Sequence, residues 1–147
     1  MTAPQGSADV AEAQRIIHAD VADVYNAIDR VEQWSAWMTS LTAPMSEVGH
    51  QAYEFSSTQG ATTRRHRMVI RAQGPVHSFV AELDGQCVLD FRCTPHVPGT
   101  SVKISSRQLG KRKWRERISA RRRTERCSTA LESVLDQLAV HLENTDR

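Results

Sequence analysis

The sequence predicts an α+β domain in which a curved antiparallel sheet wraps around one long C-terminal helix, with two short helices after the first strand. Two patterns carry this expectation. From about Ile118 to Asn144 the apolar residues Cys127, Ala130, Leu131, Val134, Leu135, Leu138 and Leu142 recur at helical spacing, with Glu132, Asp136 and Glu143 off the stripe. From Met45 to Ser106 the apolar period shortens to two, in short runs broken by turn residues, as in an antiparallel meander. The helix must bury its stripe, and the large apolar surface on offer is the inner face of the sheet. One helix does not fill a strongly curved sheet, so a cavity between the two is expected.

The elements follow in order. Residues 1–8 are small and polar and read as a loose tail, leaving 9–147 as a single domain whose last residues, Asn144 to Arg147, fray. Val10 to Ile17 reads as a strand. Asp20 is placed to cap a helix whose apolar positions Val21, Val24, Tyr25 and Ile28 recur at three and four. A second helical turn over Val31 to Met38 sets Trp34 and Trp37 on one face. Five or six strands fit the meander, and the clearest is Thr62 to Ala72, with His66, Met68, Ile70 and Ala72 on the inward face. After Gln73-Gly74-Pro75, His77, Phe79, Ala81 and Leu83 alternate; after Asp84-Gly85, Cys87, Leu89, Phe91 and Cys93 do the same. Tyr53 with Phe55, and Val102 with Ile104, supply two further strands.

A chain of 147 residues can bury a core without staples. The apolar fraction of 39% and charged fraction of 24% are ordinary for a soluble protein, and no apolar run approaches the roughly 20 residues that span a bilayer. The start, MTAPQGSADV, has neither the basic nor the apolar part of a secretory signal, so a cytoplasmic location is expected. Cys87, Cys93 and Cys127 lack CxxC spacing and read as small buried hydrophobes. The histidines are scattered without a metal-ligand spacing and no glycine-rich phosphate loop is present, so neither metal nor cofactor is expected. The net charge of +2 hides an asymmetry: Lys103 to Arg126 holds eleven basic residues against two glutamates, and the remainder is net acidic.

The order of elements, together with DVADVYNAIDRVEQWSAWM (Asp20 to Met38), resembles the polyketide cyclase/dehydrase and lipid-transport group of the START-like, or Bet v 1-like (SRPBCC), superfamily. Ala19-Asp20 stands where such proteins often have Ala-Pro. Pro98-Gly99-Thr100-Ser101-Val102 resembles the Gly-Thr turn that opens their last strand. The resemblance covers roughly residues 10 to 144. It implies a helix-grip fold with a hydrophobic tunnel, but not one activity, since members bind lipids, sterols, polyketides or hormones and only some catalyse aromatisation, cyclisation or dehydration.

Candidate ligand-binding residues are Trp34, Trp37, Tyr53, Phe55, His66, Met68, Ile70, Phe79, Leu89, Phe91, Ile104, Cys127 and Leu131, each of which also has a plain packing role open to it. The tryptophans fit either the mouth of the cavity or a plug in the core. Arg64, His66, Tyr53 and His77 are the catalytic candidates: an arginine or protonated histidine could stabilise an enolate, while neutral histidine or a tyrosine moves protons. A position near a strand end, in water, is the alternative for Arg64 and His66. The leading expectation is a binding module for a lipid-like or polyketide-like molecule; a cyclase or dehydratase working by acid–base chemistry in the same cavity is the second. The basic stretch could dock an acyl carrier protein or an anionic membrane at Arg121, Arg122 and Arg123. A nucleic-acid or ribosome-associated role through residues 103–126 is a third reading, but no recognised motif accompanies the patch, so nucleic acid is not the expected partner. The oligomeric state is not legible.

Overall fold

A computed structural model of the chain describes residues 10–109 and 114–145, and the side chains of these apart from Gln59, Pro75, residues 114–124 and Thr145. The expected N-terminal tail, residues 1–8, lies outside the described residues.

Ala11, Ala13, Arg15 and Ile17 share one face of the first strand, β1 (Val10–Ile17). The small side chains of Ala11 and Ala13 leave room for a helix to lie close. The chain then turns through His18-Ala19-Asp20 into α1 (Val21–Asp29), which buries Val24 and Ile28. Asp20 occupies the N-cap position as expected, but its side chain makes no capping bond. The second helical turn is a 3-10 helix over Val31–Ala36, shorter than the expected Val31 to Met38, and it buries Val31 and Trp34. The meander contains six strands: β2 (Ser46–Gly49), β3 (Ala52–Gln59), β4 (Thr62–Gly74), β5 (Ser78–Leu83), β6 (Cys87–His96) and β7 (Gly99–Gln108). With β1 they form one antiparallel sheet in the order β1-β7-β6-β5-β4-β3-β2. The closing helix, α2 (Trp114–Thr145), begins earlier than the apolar pattern indicates.

Two details of strand register depart from the sequence pattern. Ile70 pairs with Ala81 and Ala72 with Val80, so β4 carries a bulge at Arg71 that turns Ala72 off the inner face and into solvent. His77 belongs to a 3-10 turn (Pro75–His77) with φ 53°, and β5 begins one residue later at Ser78.

The link between β1 and β7 explains the Gly-Thr turn. An added Cβ at Gly99 would stand 2.1 Å from the Ile17 carbonyl oxygen, so the backbones can meet only at a glycine. Beside it Thr100 is fully buried, and its hydroxyl donates to the Ala19 carbonyl at 2.7 Å. Along α2, Leu131, Leu135, Leu138, Ala139 and Leu142 are buried, whereas Ala130, placed on the stripe by spacing, is exposed. Polar contacts fix the helix to the rest: Arg15 of β1 pairs with Asp136, the His18 amide donates to Glu143 at 3.0 Å, and the Thr39 amide donates to Gln137 at 2.6 Å.

Candidate functional site

The inner face of the sheet divides into two ends that differ in packing. At the first, Trp34 from the 3-10 helix is 3% exposed. Its ring lies 5.8 Å from both Phe79 and Phe91 and 6.1 Å from Trp37, and Phe79 meets Phe91 edge-on at 5.7 Å. The indole Nε1 donates to the Ile28 carbonyl at 2.8 Å, satisfying one of the acceptors that the end of α1 leaves free. Met68, Ile70 and Ile104 join this cluster at 7% exposure or less. Trp34 is therefore a plug. Trp37 is nearly as buried, and its Nε1 has no hydrogen-bond partner among the described residues. It borders a shallow groove of about 520 Å³ shared with Thr39, Gln137 and Val140.

At the other end the same apolar face is only half-covered. Tyr53, Phe55, Leu83, Leu89, Cys127 and Val134 pack against the core but keep part of their surface open. At Val134 a groove of about 970 Å³ runs between α2 and the far end of β3, bordered by Thr39, Ser40, Ser57 and Thr58 on one side. Thr129, Ala130, Ser133 and Val134 border it on the helix side, with Glu125 and Arg126 towards the start of α2.

Of the catalytic candidates, Arg64, His66 and Tyr53 share one end of the inner face by register, while His77 lies at the other end of β4. Arg64 holds the inner-face register but lies exposed near the start of β4, opposite Ser57. The Tyr53 hydroxyl donates to Glu47 at 3.4 Å, and burial first, then the Glu47 charge, raises its pKa above the ordinary tyrosine value. His77 sits against Tyr25, edge-on at 5.4 Å, at the β4–β5 hairpin. That hairpin is eight residues along β4 from His66, roughly 26 Å at strand rise.

His66 has two polar side chains as partners on the half-open face. Its Nδ1 lies 2.7 Å from Asp84 Oδ2, its Nε2 lies 2.7 Å from Ser57 Oγ, and the Phe55 ring covers it at 5.1 Å. The positions follow from register. Phe55 is opposite His66 across β3 and β4, and Ser57 is two residues further on the same face. Asp84 opens the β5–β6 hairpin, where it and Gly85 both take positive φ, 57° and 66°, as a two-residue type I′ turn requires. The Asp84 amide donates to the Arg67 carbonyl at 2.7 Å, and the Arg67 amide donates to Asp84 Oδ1 at 2.8 Å. Ser57 and Asp84 were not among the sequence candidates. Alternation along Tyr53, Phe55 and Ser57 was the available signal for the first; for Asp84 the Asp-Gly pair announced a turn but not its partner.

The side chains of Arg121, Arg122 and Arg123 lie outside those described, as does most of the basic stretch. Among the described residues no group of three or more His, Cys, Asp or Glu is arranged to hold a metal, and no helix is long and apolar enough to cross a membrane.

No family model matches the sequence, and no curated protein matches it. Among solved structures, the di-domain aromatase/cyclase StfQ of the steffimycin biosynthetic pathway is similar with a TM-score of 0.75 at 14% identity, over 97% of this chain and 53% of that one. The Zhui aromatase/cyclase of Streptomyces sp. R1128 matches with a TM-score of 0.72 at 10% identity, over 94% of this chain and 95% of that one. Ara h 8.0201 matches with a TM-score of 0.68 at 9% identity, over 92% of this chain and 97% of that one. Strand order, early short helices, closing helix and these likenesses together give the chain a helix-grip fold, the fold it shares with these aromatase/cyclases and with Ara h 8.0201.

Proposed function

We propose that the chain holds an apolar small molecule, lipid-like or polyketide-like, at the half-open end of the sheet beneath α2. The observation that carries this reading is the uneven burial of one continuous apolar face. Trp34, Met68, Phe79, Phe91 and Ile104 are sealed, while Tyr53, Phe55, Leu83, Leu89, Cys127 and Val134 on the same face are not, and a groove of about 970 Å³ opens at Val134. Protein interiors pack to crystal density, so apolar area left at the edge of a sealed core marks a surface that something else covers. A pocket of this kind takes its affinity from apolar contact and its orientation from a few polar groups, here the hydroxyls of Ser57 and Thr129.

The aromatase/cyclase activity named for StfQ and Zhui is the second reading. It is the less supported, because His77 lies at the far hairpin, Arg64 is exposed and the Tyr53 hydroxyl is turned to Glu47. Delivery of the ligand by an acidic carrier protein or an anionic membrane at Arg121, Arg122 and Arg123 belongs to the same proposal, supported by the charge asymmetry of the sequence. The free cysteines Cys87, Cys93 and Cys127 suit a reducing compartment such as the cytoplasm.

The test is a titration of methyl-labelled protein with 1-anilinonaphthalene-8-sulfonate, followed by NMR. Methyl signals of Leu83, Leu89 and Val134 should move while those of Val102, Leu135 and Leu138 stay. Val134→Trp, which fills the open end, should weaken binding by about tenfold or more. Unchanged affinity in that variant, or shifts confined to the exposed Val48 and Val97, would sink the reading.

A further inference from the structure

We infer that Ser57, His66 and Asp84 form a nucleophile relay, in which Ser57 accepts the acyl group of a carboxylic ester or thioester bound in the groove between β3 and α2. The inference does not rest on the apolar-ligand reading, since it concerns a covalent reaction at one oxygen.

With Asp84 ionised and His66 neutral, one assignment of donors and acceptors fits the two bonds. An ionised Asp84 can only accept, so the proton between Asp84 Oδ2 and His66 Nδ1 sits on the ring nitrogen. A neutral His66 then has Nε2 free as an acceptor, and Ser57 Oγ, 2.7 Å away, donates to it. A hydroxyl that donates to an imidazole, whose other nitrogen donates to a carboxylate, is an activated nucleophile with an oriented general base.

The surroundings hold this geometry in place. Asp84 is fixed twice over by Arg67, through its own amide and through Oδ1, which leaves Oδ2 directed at His66. Phe55 covers the imidazole, whose side chain is 18% exposed. Ser57 borders the groove, which gives an acyl group a way to this residue. Val134 of α2 borders the same groove and Phe55 lies against His66, apolar surface that suits an acyl chain.

The reaction balances with water as the second substrate. Ser57 Oγ bonds to the acyl carbon as its proton passes to His66 Nε2, the carbon–oxygen or carbon–sulfur bond breaks, and the alcohol or thiol leaves with that proton. Water then gives a proton to His66 and its oxygen bonds to the acyl carbon. Ser57 leaves, recovers the proton, and a free acid is released. Ser57 and His66 are catalytic residues in this scheme, and Asp84 is a positioning residue acting through His66.

The deciding experiment treats the full chain with an ethyl fluorophosphonate and maps the adduct by mass spectrometry. Parallel assays follow hydrolysis of p-nitrophenyl butyrate and S-phenyl thiobutyrate. A single adduct on Ser57 is expected, formed about a hundredfold more slowly in His66→Gln, with hydrolysis lost in Ser57→Ala by about a thousandfold. Faster turnover of the first compound assigns an ester substrate, and of the second a thioester. Asp84→Asn keeps an acceptor for the Arg67 amide; it should slow the adduct about a hundredfold and move the His66 proton from Nδ1 to Nε2, read from imidazole ¹⁵N shifts. No adduct on Ser57, an adduct indifferent to His66→Gln, hydrolysis that survives Ser57→Ala, or an adduct without turnover of either compound overturns the inference. Far-ultraviolet circular dichroism of each variant separates these outcomes from unfolding.

Discussion

Replacing Trp34 by phenylalanine distinguishes a core plug from a ligand gate. The residue is 3% exposed and wedged between Phe79, Phe91 and Trp37. Phenylalanine keeps a ring in that space but removes two ring carbons, about 1.6 kcal/mol at roughly 0.8 kcal/mol per buried carbon. It also removes Nε1, leaving the Ile28 carbonyl, on a fully buried residue, without its indole donor; an orphaned acceptor adds about 1 kcal/mol. The total is about 3 kcal/mol, a large part of the stability of an ordinary domain. In urea unfolding followed by circular dichroism the midpoint should fall by about 1.5 M for a slope of about 2 kcal/mol/M. Trp37→Phe is the internal comparison. Its Nε1 has no partner among the described residues, so the second contribution is absent and the loss should be about 1 kcal/mol smaller. The reasoning fails if Trp34→Phe keeps its stability to within about 0.5 kcal/mol but loses dye affinity.

Other outcomes follow from single features. Gly99→Ala would drive a Cβ against the Ile17 carbonyl and the backbone of His18, and neither can move without opening the β1–β7 pair; a loss of about 3 kcal/mol, or about 6 to 12 °C in Tm, should appear in thermal denaturation. Burial pushes the Cys93 thiol up to about 12, so at pH 9 it should react with a disulfide reagent about five-hundredfold more slowly than in the urea-unfolded chain. The same shift has a sign for stability. The folded chain keeps this proton where the unfolded chain, with a thiol value of 9.0, releases it, so the contribution is complete below pH 9 and is lost as pH rises towards 12; Cys93→Ala should flatten that decline in pH-dependent urea midpoints. Reversing Arg121, Arg122 and Arg123 to glutamate should weaken binding to anionic liposomes or to an acidic carrier protein about tenfold, and unchanged binding to both would remove that part of the proposed function.

Much of the architecture was legible because it depends on periodicity. The spacing of Leu131, Leu135, Leu138 and Leu142 specifies an amphipathic helix whatever it packs against, and the alternation of His66, Met68 and Ile70 specifies a strand with one buried face. The Gly99-Thr100 turn marked the start of the last strand, and Asp84-Gly85 marked a hairpin turn. Where periodicity misled, a local event had broken it: the bulge at Arg71 took Ala72 out of the core, and the turn at Pro75–His77 took His77 off its strand.

Only the tertiary structure decided which part of the apolar face is sealed and which polar groups meet. The sequence gives Phe91 and Leu89 equal standing, two residues apart on one face, yet Phe91 falls under Trp34 and Leu89 remains half-open, because the 3-10 helix covers one end of the sheet alone. Ser57, His66 and Asp84 lie on two strands and a hairpin, and neither composition nor spacing links them. Pairing of β3 with β4 and of β4 with β5 brings them within hydrogen-bond distance. Local pattern is set by each residue's own chemistry and its near neighbours, so one chain suffices to read it; a polar cluster is set by strand register across the sheet, which exists only once the sheet has formed.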